Sequence, residues 1–311
     1  MFRRAPLAHA SCEISAGHWS HATRGTTVEP MNGTIGLLHP GQMGSSIGAA
    51  AASNGHRVIW CSEDRSAATR ARAERDCLTD VHRLEQLVVQ SEVIVSVCPP
   101  SAAAQVADSV ASLGFTGLYM DANAIAPQTA RGIAVRVQQA GASFVDGGIV
   151  GPPVRTRGAT LLYVSGARAA QVARIFEDSA LEAHVLGAEP GEASAVKMAF
   201  AAWTKGNSAL LLAVRALAHA EGATTGLLHA WSRLAPDLQA RSEATAKSTA
   251  PKAWRFVGEM EEIAGTFAAA GLPAGFHEAA AEIYARLADF KDRETAVTLE
   301  EALARLWRRG S

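Results

Sequence analysis

Thr34-Ile35-Gly36-Leu37-Leu38-His39-Pro40-Gly41-Gln42-Met43-Gly44 is the stretch that decides the fold. Its first five residues form a short apolar run that predicts a buried strand, broken at His39-Pro40-Gly41. Residues 42–54 then place small residues along one side of a predicted helix, and Gly55 stands where a helix of that length ends. A strand that turns sharply into a helix opens a dinucleotide-binding unit. Such a turn needs one glycine at the bend, one where the backbone meets a pyrophosphate, and one where helix packs on sheet. The corresponding positions are His39, Gly41 and Gly44, so two of the three carry glycine. The helix amino end also offers free N–H groups to a phosphate. His39, Pro40, Gly41, Gln42, Met43 and Gly44 are therefore read as a phosphate-binding turn.

Working outward, apolar runs at 57–61, 93–97, 118–121, 143–146 and 161–164 predict further strands, with helical stretches such as 66–75 between them. Strands and helices alternating at this spacing imply a doubly wound parallel α/β sheet of the Rossmann type. From Glu192 onward the pattern is helical: one long helix over 192–221, then shorter ones over 226–306, with breaks at Pro236, Pro251 and Gly271-Leu272-Pro273. Three segments are expected: a disordered extension over 1–30 ahead of a second methionine at Met31, a nucleotide-binding domain over 31–190, and an all-helical domain over 191–311. The extension shows no period of either kind, and it lacks the apolar core of a secretory signal.

The 311 residues are enough for two cores. With 48% hydrophobic and 19% charged residues and a net charge of −1, the chain carries no basic surface for nucleic acid. It has no apolar run of the roughly 20 residues that span a bilayer. Cys12, Cys61, Cys77 and Cys98 are scattered without a paired spacing, which argues against a disulfide framework or bound metal and fits a reducing cytoplasm.

The end of the second strand, Cys61-Ser62-Glu63-Asp64-Arg65-Ser66, bears on the cofactor. Glu63 is placed to hold a ribose 2′-hydroxyl, as in NAD(H) binding. Ser62, Arg65, Ser66 and Thr69 form a hydroxyl-plus-guanidinium set suited to a 2′-phosphate, and this favours NADP(H). Lys197 opens the long helix at the seam between the two expected domains. A solvated helix lysine is the ordinary reading of such a residue; at this seam a lysine can also exchange a proton with a hydroxyl that is losing a hydride.

Ile35 to Gly44, followed by Gly55-His56-Arg57-Val58, resembles the opening of the 3-hydroxyacid dehydrogenase / 6-phosphogluconate dehydrogenase superfamily. Asp146-Gly147-Gly148-Ile149-Val150-Gly151-Pro152-Pro153 and Gly158-Ala159-Thr160-Leu161 are similar to its substrate-binding motif and the continuation of that motif. Lys197 falls where these enzymes carry their catalytic lysine. Cys98-Pro99-Pro100, Asp121 to Pro127 and Lys197 to Gly206 resemble more closely a bacterial 6-phosphogluconate dehydrogenase-like subgroup with a distinctive helical C-terminal domain. The resemblance implies hydride transfer between a nicotinamide cofactor and a hydroxy acid or related alcohol. The nicotinamide would lie near Cys98, Pro99, Pro100 and Asn123, Lys197 would act as general acid/base, and Gly148, Val150 and Gly151 would face the substrate. It also implies a homodimer through the helical domain, with Trp254 and Arg255 reaching the partner's cleft.

Three departures stand out. Val150 replaces a serine of the superfamily motif, Ala201 an asparagine one turn beyond the lysine, and Gly258 a second lysine. Losing polar contacts changes which substrate is accepted. Helical spacing puts Phe200, Ala201, Thr204, Lys205 and Ser208 near the face of Lys197, with Thr204 and Lys205 as substrate contacts. Glu259 and His277 are weaker candidates from the helical domain. Two alternatives stay open: an imine reductase, in which an acid or a tyrosine is expected at the position of Lys197, and a protein that binds NADP(H) without turnover.

Overall fold

The computed structural model describes residues 33–307 except 292 and 294, so the extension expected over 1–30 lies outside the described residues. The chain begins β1 (Thr34–Leu38), α1 (Gln42–Ser53), β2 (Arg57–Trp60), α2 (Ala67–Arg75), β3 (Thr79–Asp80) and α3 (Leu84–Gln90). It continues β4 (Val93–Ser96), α4 (Ala103–Ser112), β5 (Leu118–Asp121), α5 (Pro127–Gln139), β6 (Ser143–Val150), β7 (Leu161–Ser165), α6 (Ala169–Ile175) and β8 (Glu182–Val185).

These strands form one sheet in the order β3-β2-β1-β4-β5-β6-β7-β8. β1 pairs with β2 on one side and β4 on the other, so the winding reverses between β1 and β4, and a crevice opens at the carboxyl ends of those strands. Ile59, Ile94, Tyr119 and Phe144 form part of the core on one face of the sheet. The sheet is not wholly parallel, as the alternation had implied: β7 runs antiparallel to β6. The connecting loop, residues 151–160, is shorter than the dozen or so residues that a parallel crossover needs.

Beyond the sheet come α7 (Glu192–Ala220), α8 (Thr224–Leu234), α9 (Asp237–Thr249), α10 (Ala253–Ala269), α11 (Gly275–Arg286) and α12 (Leu299–Leu306). Their shared core holds Met198, Leu212, Met260, Ile263, Tyr284 and Leu303. α7 packs on β6 and β7 at one end and on α9 to α12 along its length. α10 reaches back to α5 and to the turn Pro100–Ala102 after β4. Glu262 of α10 fixes that contact, accepting hydrogen bonds from the Ala126 amide at 2.6 Å and the Thr129 hydroxyl at 3.3 Å. Helices thus close over the strand ends where the crevice lies. Among the described residues, none of the helices is long and apolar enough to cross a membrane.

Candidate active site

Register aligns Leu38 with Ser96, Ser96 with Asp121, and Asp121 with Asp146, so the segments after β1, β4 and β5 emerge along one edge. His39 occupies the first turn position with φ of +63°. This left-handed conformation, free for glycine, costs a histidine about 1 kcal/mol. At Gly41 a side chain would meet nothing nearer than the His39 carbonyl at 4.0 Å, whereas a Cβ at Gly44 would lie 2.5 Å from that oxygen. Gly41 therefore borders open space, and Gly44 lets α1 close on the turn. Gly41 supplies no side-chain cap to α1, which leaves the first-turn amides beside exposed Gln42 and half-buried Met43 for an anion. The Pro40 carbonyl is held by Arg72 at 3.0 Å.

Past β2, the buried Ser62 donates its amide to Asp80 at 3.1 Å. Ser66 caps α2 by accepting the Thr69 amide, and the two hydroxyls lie 3.1 Å apart. Of the expected phosphate set, Ser66 and Thr69 are thus engaged with each other. Arg65 keeps a buried Nε without a hydrogen-bond partner among the described residues, and so does Nδ1 of His39. Burial and the Arg65 guanidinium together push the His39 pKa down to about 4, so its ring is neutral. Glu63 is exposed.

Asn123 joins the next two segments. Its Oδ1 accepts the Cys98 amide at 2.5 Å and its Nδ2 donates to the Ser96 hydroxyl at 3.2 Å. The two predicted residues meet, with the Asn123 side chain engaged by the Cys98 backbone amide and the Ser96 hydroxyl. Burial, with Asp121 adding to it, pushes the Cys98 thiol up to about 11, which makes it a poor nucleophile. Pro99 and Pro100 begin the turn against which α10 packs.

At Gly148 a Cβ would lie 2.4 Å from the Ala193 carbonyl and 3.2 Å from the Lys197 Cβ. Its missing side chain is what lets α7 lie directly on β6. Gly151, at φ of +123°, turns the chain where a Cβ would sit 2.5 Å from the Ala159 carbonyl. Val150 is buried at the end of β6.

Lys197 donates from Nζ to the Ile149 carbonyl at 2.7 Å. Burial pushes its pKa down to about 8; Lys205 adds to the fall and Glu259 opposes it. Lys205 and Glu259 pair at 2.7 Å, with the Phe256 ring 5.1 Å from the Lys205 ammonium. The Tyr284 hydroxyl, unremarked in the sequence, donates to the Lys205 carbonyl at 2.6 Å. Thr204 is exposed, and its hydroxyl donates to the Phe200 carbonyl at 3.1 Å. Trp254 and Arg255 are exposed on the first turn of α10, 5.8 Å apart. His277 is a core residue, its ring 4.2 Å from that of Phe267. Gly258 borders open space. Among the described residues no cluster of His, Cys, Asp and Glu has the form of a metal site.

Residues 33–187 match the NAD binding domain of 6-phosphogluconate dehydrogenase, and residues 218–287 match a domain of unknown function, DUF1932. The chain belongs to the 3-hydroxyacid dehydrogenase / 6-phosphogluconate dehydrogenase superfamily. It is 26% identical to a conserved hypothetical protein from Sinorhizobium meliloti, whose structure superposes with a TM-score of 0.65 over 89% of this chain and 96% of that one. A second solved structure, a conserved protein of unknown function described as structurally similar to 3-hydroxyacid dehydrogenases, is 27% identical with a TM-score of 0.63, over 83% and 97% of the two chains. An uncharacterized 28.5 kDa protein of Methanothermus fervidus is 29% identical over 55% of this chain; the chain spans 65% of that relative's length. Solved 3-hydroxyisobutyrate dehydrogenases and imine reductases, at 16–20% identity, share the fold.

Proposed function

We propose that this protein transfers a hydride between NADP(H) and a hydroxy acid or related alcohol, with Lys197 as the general acid/base. The observation that carries the reading is the placement of Lys197 at the end of β6, its ammonium partly shielded and its pKa near 8. A lysine so tuned exchanges a proton with a substrate hydroxyl close to neutral pH, where an ordinary lysine stays protonated. The bound nicotinamide supplies the hydride acceptor or donor. The open turn at Gly41, the uncapped start of α1, and the buried unpartnered nitrogens of His39 and Arg65 fit an anionic dinucleotide. Arg65 favours a 2′-phosphate, while Glu63 is exposed and remains the ribose partner if NAD(H) is used.

The substrate end is sparer in polar groups than a small hydroxy acid needs. Val150, Ala201 and Gly258 donate no side-chain hydrogen bond, and Lys205 is neutralised by Glu259. Lys197 is then the main cation awaiting the substrate, which favours one with an apolar body and few anionic groups. A panel of hydroxy acids and alcohols with NADP+, and of ketones and imines with NADPH, tests the reading on wild type and Lys197→Ala. Loss of a general acid/base lowers turnover by about 10²-fold or more with cofactor binding kept. Imine reduction that survives Lys197→Ala, or binding without turnover of any compound, would overturn it.

We further infer a homodimer. Phe200, Trp203, Asn207, Leu210, Val214 and Leu217 alternate at three- and four-residue steps along α7, the spacing of a helix–helix seam. Trp203 is 69% exposed and Leu217 64% exposed, far more than such side chains need for packing within one chain.

A further inference from the structure

α7 starts badly by itself. Gly191, its cap residue at φ of +104°, has no side chain to satisfy the first amides, which are buried here rather than hydrated. The missing cap arrives from the sheet. Asp146, fully buried on β6, accepts the Gly191 amide at 2.9 Å and the Ser194 amide at 2.9 Å on one oxygen. Its other oxygen accepts the Ser194 hydroxyl at 2.6 Å. Ser165 faces Asp146 across the antiparallel β6–β7 pair. Its hydroxyl donates to Asp146 at 3.2 Å and accepts the Ala193 amide at 3.2 Å. A carboxylate there also meets the positive end of the helix dipole.

Two more contacts tie the same strand to the same helix: the close approach at Gly148 and the bond from Lys197 to the Ile149 carbonyl. Ser194 lies one helical turn before Lys197, so a shift at the cap is transmitted directly to the lysine. We propose that Asp146 is a positioning residue, a cap delivered from β6 that sets the height and rotation of α7 and thereby holds the Lys197 ammonium against the strand. Ser165 completes the cap. The consequence for turnover rests on the acid/base reading of Lys197; the seating itself does not.

The test reads the lysine without relying on activity. Lys197 is titrated by competitive acylation and peptide mass spectrometry between about pH 6 and pH 11 in wild type, Asp146→Asn and Ser165→Ala. Lys205 and Glu259, the charged groups that act on Lys197, are untouched by both substitutions. A loosened α7 returns the ammonium to water, so its midpoint rises from near 8 towards 10.5, by roughly one unit or more in Asp146→Asn and less in Ser165→Ala. Ile59→Val, a core change on β2, controls for lost stability and leaves the midpoint in place. A folded Asp146→Asn protein with an unmoved midpoint overturns the proposal. If that variant fails to fold, Ser165→Ala decides by the same criterion. Where the midpoint moves but Lys197→Ala keeps full turnover, the seating stands and the acid/base reading falls.

Discussion

Glu259 on α10 meets Lys205 on α7 at 2.7 Å, and only 17% and 15% of the two side chains remain exposed. The pair acts on Lys197 with opposite signs, Lys205 lowering its pKa and Glu259 raising it. Glu259→Gln removes the negative partner and leaves Lys205 charged, so the Lys197 pKa falls below about 8. In the oxidative direction the lysine must be free base, and the acid limb of kcat/KM moves to lower pH. Lys205→Met removes the repulsion and moves that limb upward. Each substitution also breaks a largely buried pair, at a cost of about 3 kcal/mol. pH profiles that move together, or not at all, would detach the pair from Lys197.

At the tip of β2, Arg65 has a buried Nε without a hydrogen-bond partner among the described residues. Arg65→Ala is expected to weaken NADP(H) by about 1.5–3 kcal/mol, the scale of a hydrogen bond to a charged group, and to leave NAD(H) nearly unchanged. Fluorescence titration with both cofactors measures this. Equal losses, or a native preference for NAD(H), would return the ribose to Glu63.

What the sequence revealed was local. β1, its turn and α1 are legible because apolar period and punctuation fall within about twenty residues. Thr79–Asp80 and Glu182–Val185 were missed because one is two residues long and the other lies at a sheet edge with few apolar residues. The antiparallel β7 is a matter of connection length, which only the loop 151–160 hints at. Asp146, Ser165 and Ser194 come from three elements, so no spacing in the chain announces their meeting. Ser66 is legible as a cap, since a serine ahead of a helix ordinarily accepts a first-turn amide. His277, by contrast, gives no cue to its burial beyond its neighbour Phe276.

Asp121 supplies a pH test of stability. It is fully buried with one oxygen unpartnered among the described residues, and burial raises its pKa from 3.8 to about 7; Asn123 opposes the rise and Asp146 adds to it. With the folded pKa above the unfolded one, the native state holds a proton that the unfolded chain has released between these values. Its contribution is therefore full below about pH 4 and is lost as pH rises through about 7. Asp121→Asn keeps an acceptor for the Asn123 amide and cannot ionise. Its stability relative to wild type should rise by about 2–3 kcal/mol between roughly pH 5 and pH 8. Denaturant unfolding at the two pH values checks this, and a constant difference would contradict it.

The seam on α7 makes the last prediction. Trp203, Leu210 and Leu217 recur every seventh residue on one side of the helix, each exposed by 47% or more. α8, which packs beside α7, buries none of its own residues fully and leaves Leu234 86% exposed. An obligate dimer covers about 2,000 Å² or more of largely apolar surface, and these helices offer that kind of face. Light scattering at micromolar protein should give twice the chain mass. Leu210→Glu with Leu217→Glu places two charges in the seam and should yield a monomer that keeps its helical circular dichroism. Arg255→Ala asks a separate question, because its exposed place on the first turn of α10 suits a contact with the partner's cleft. A wild-type monomer that turns over substrate would remove both the seam and the shared cleft. A dimer in which Arg255→Ala is fully active would remove the shared cleft alone.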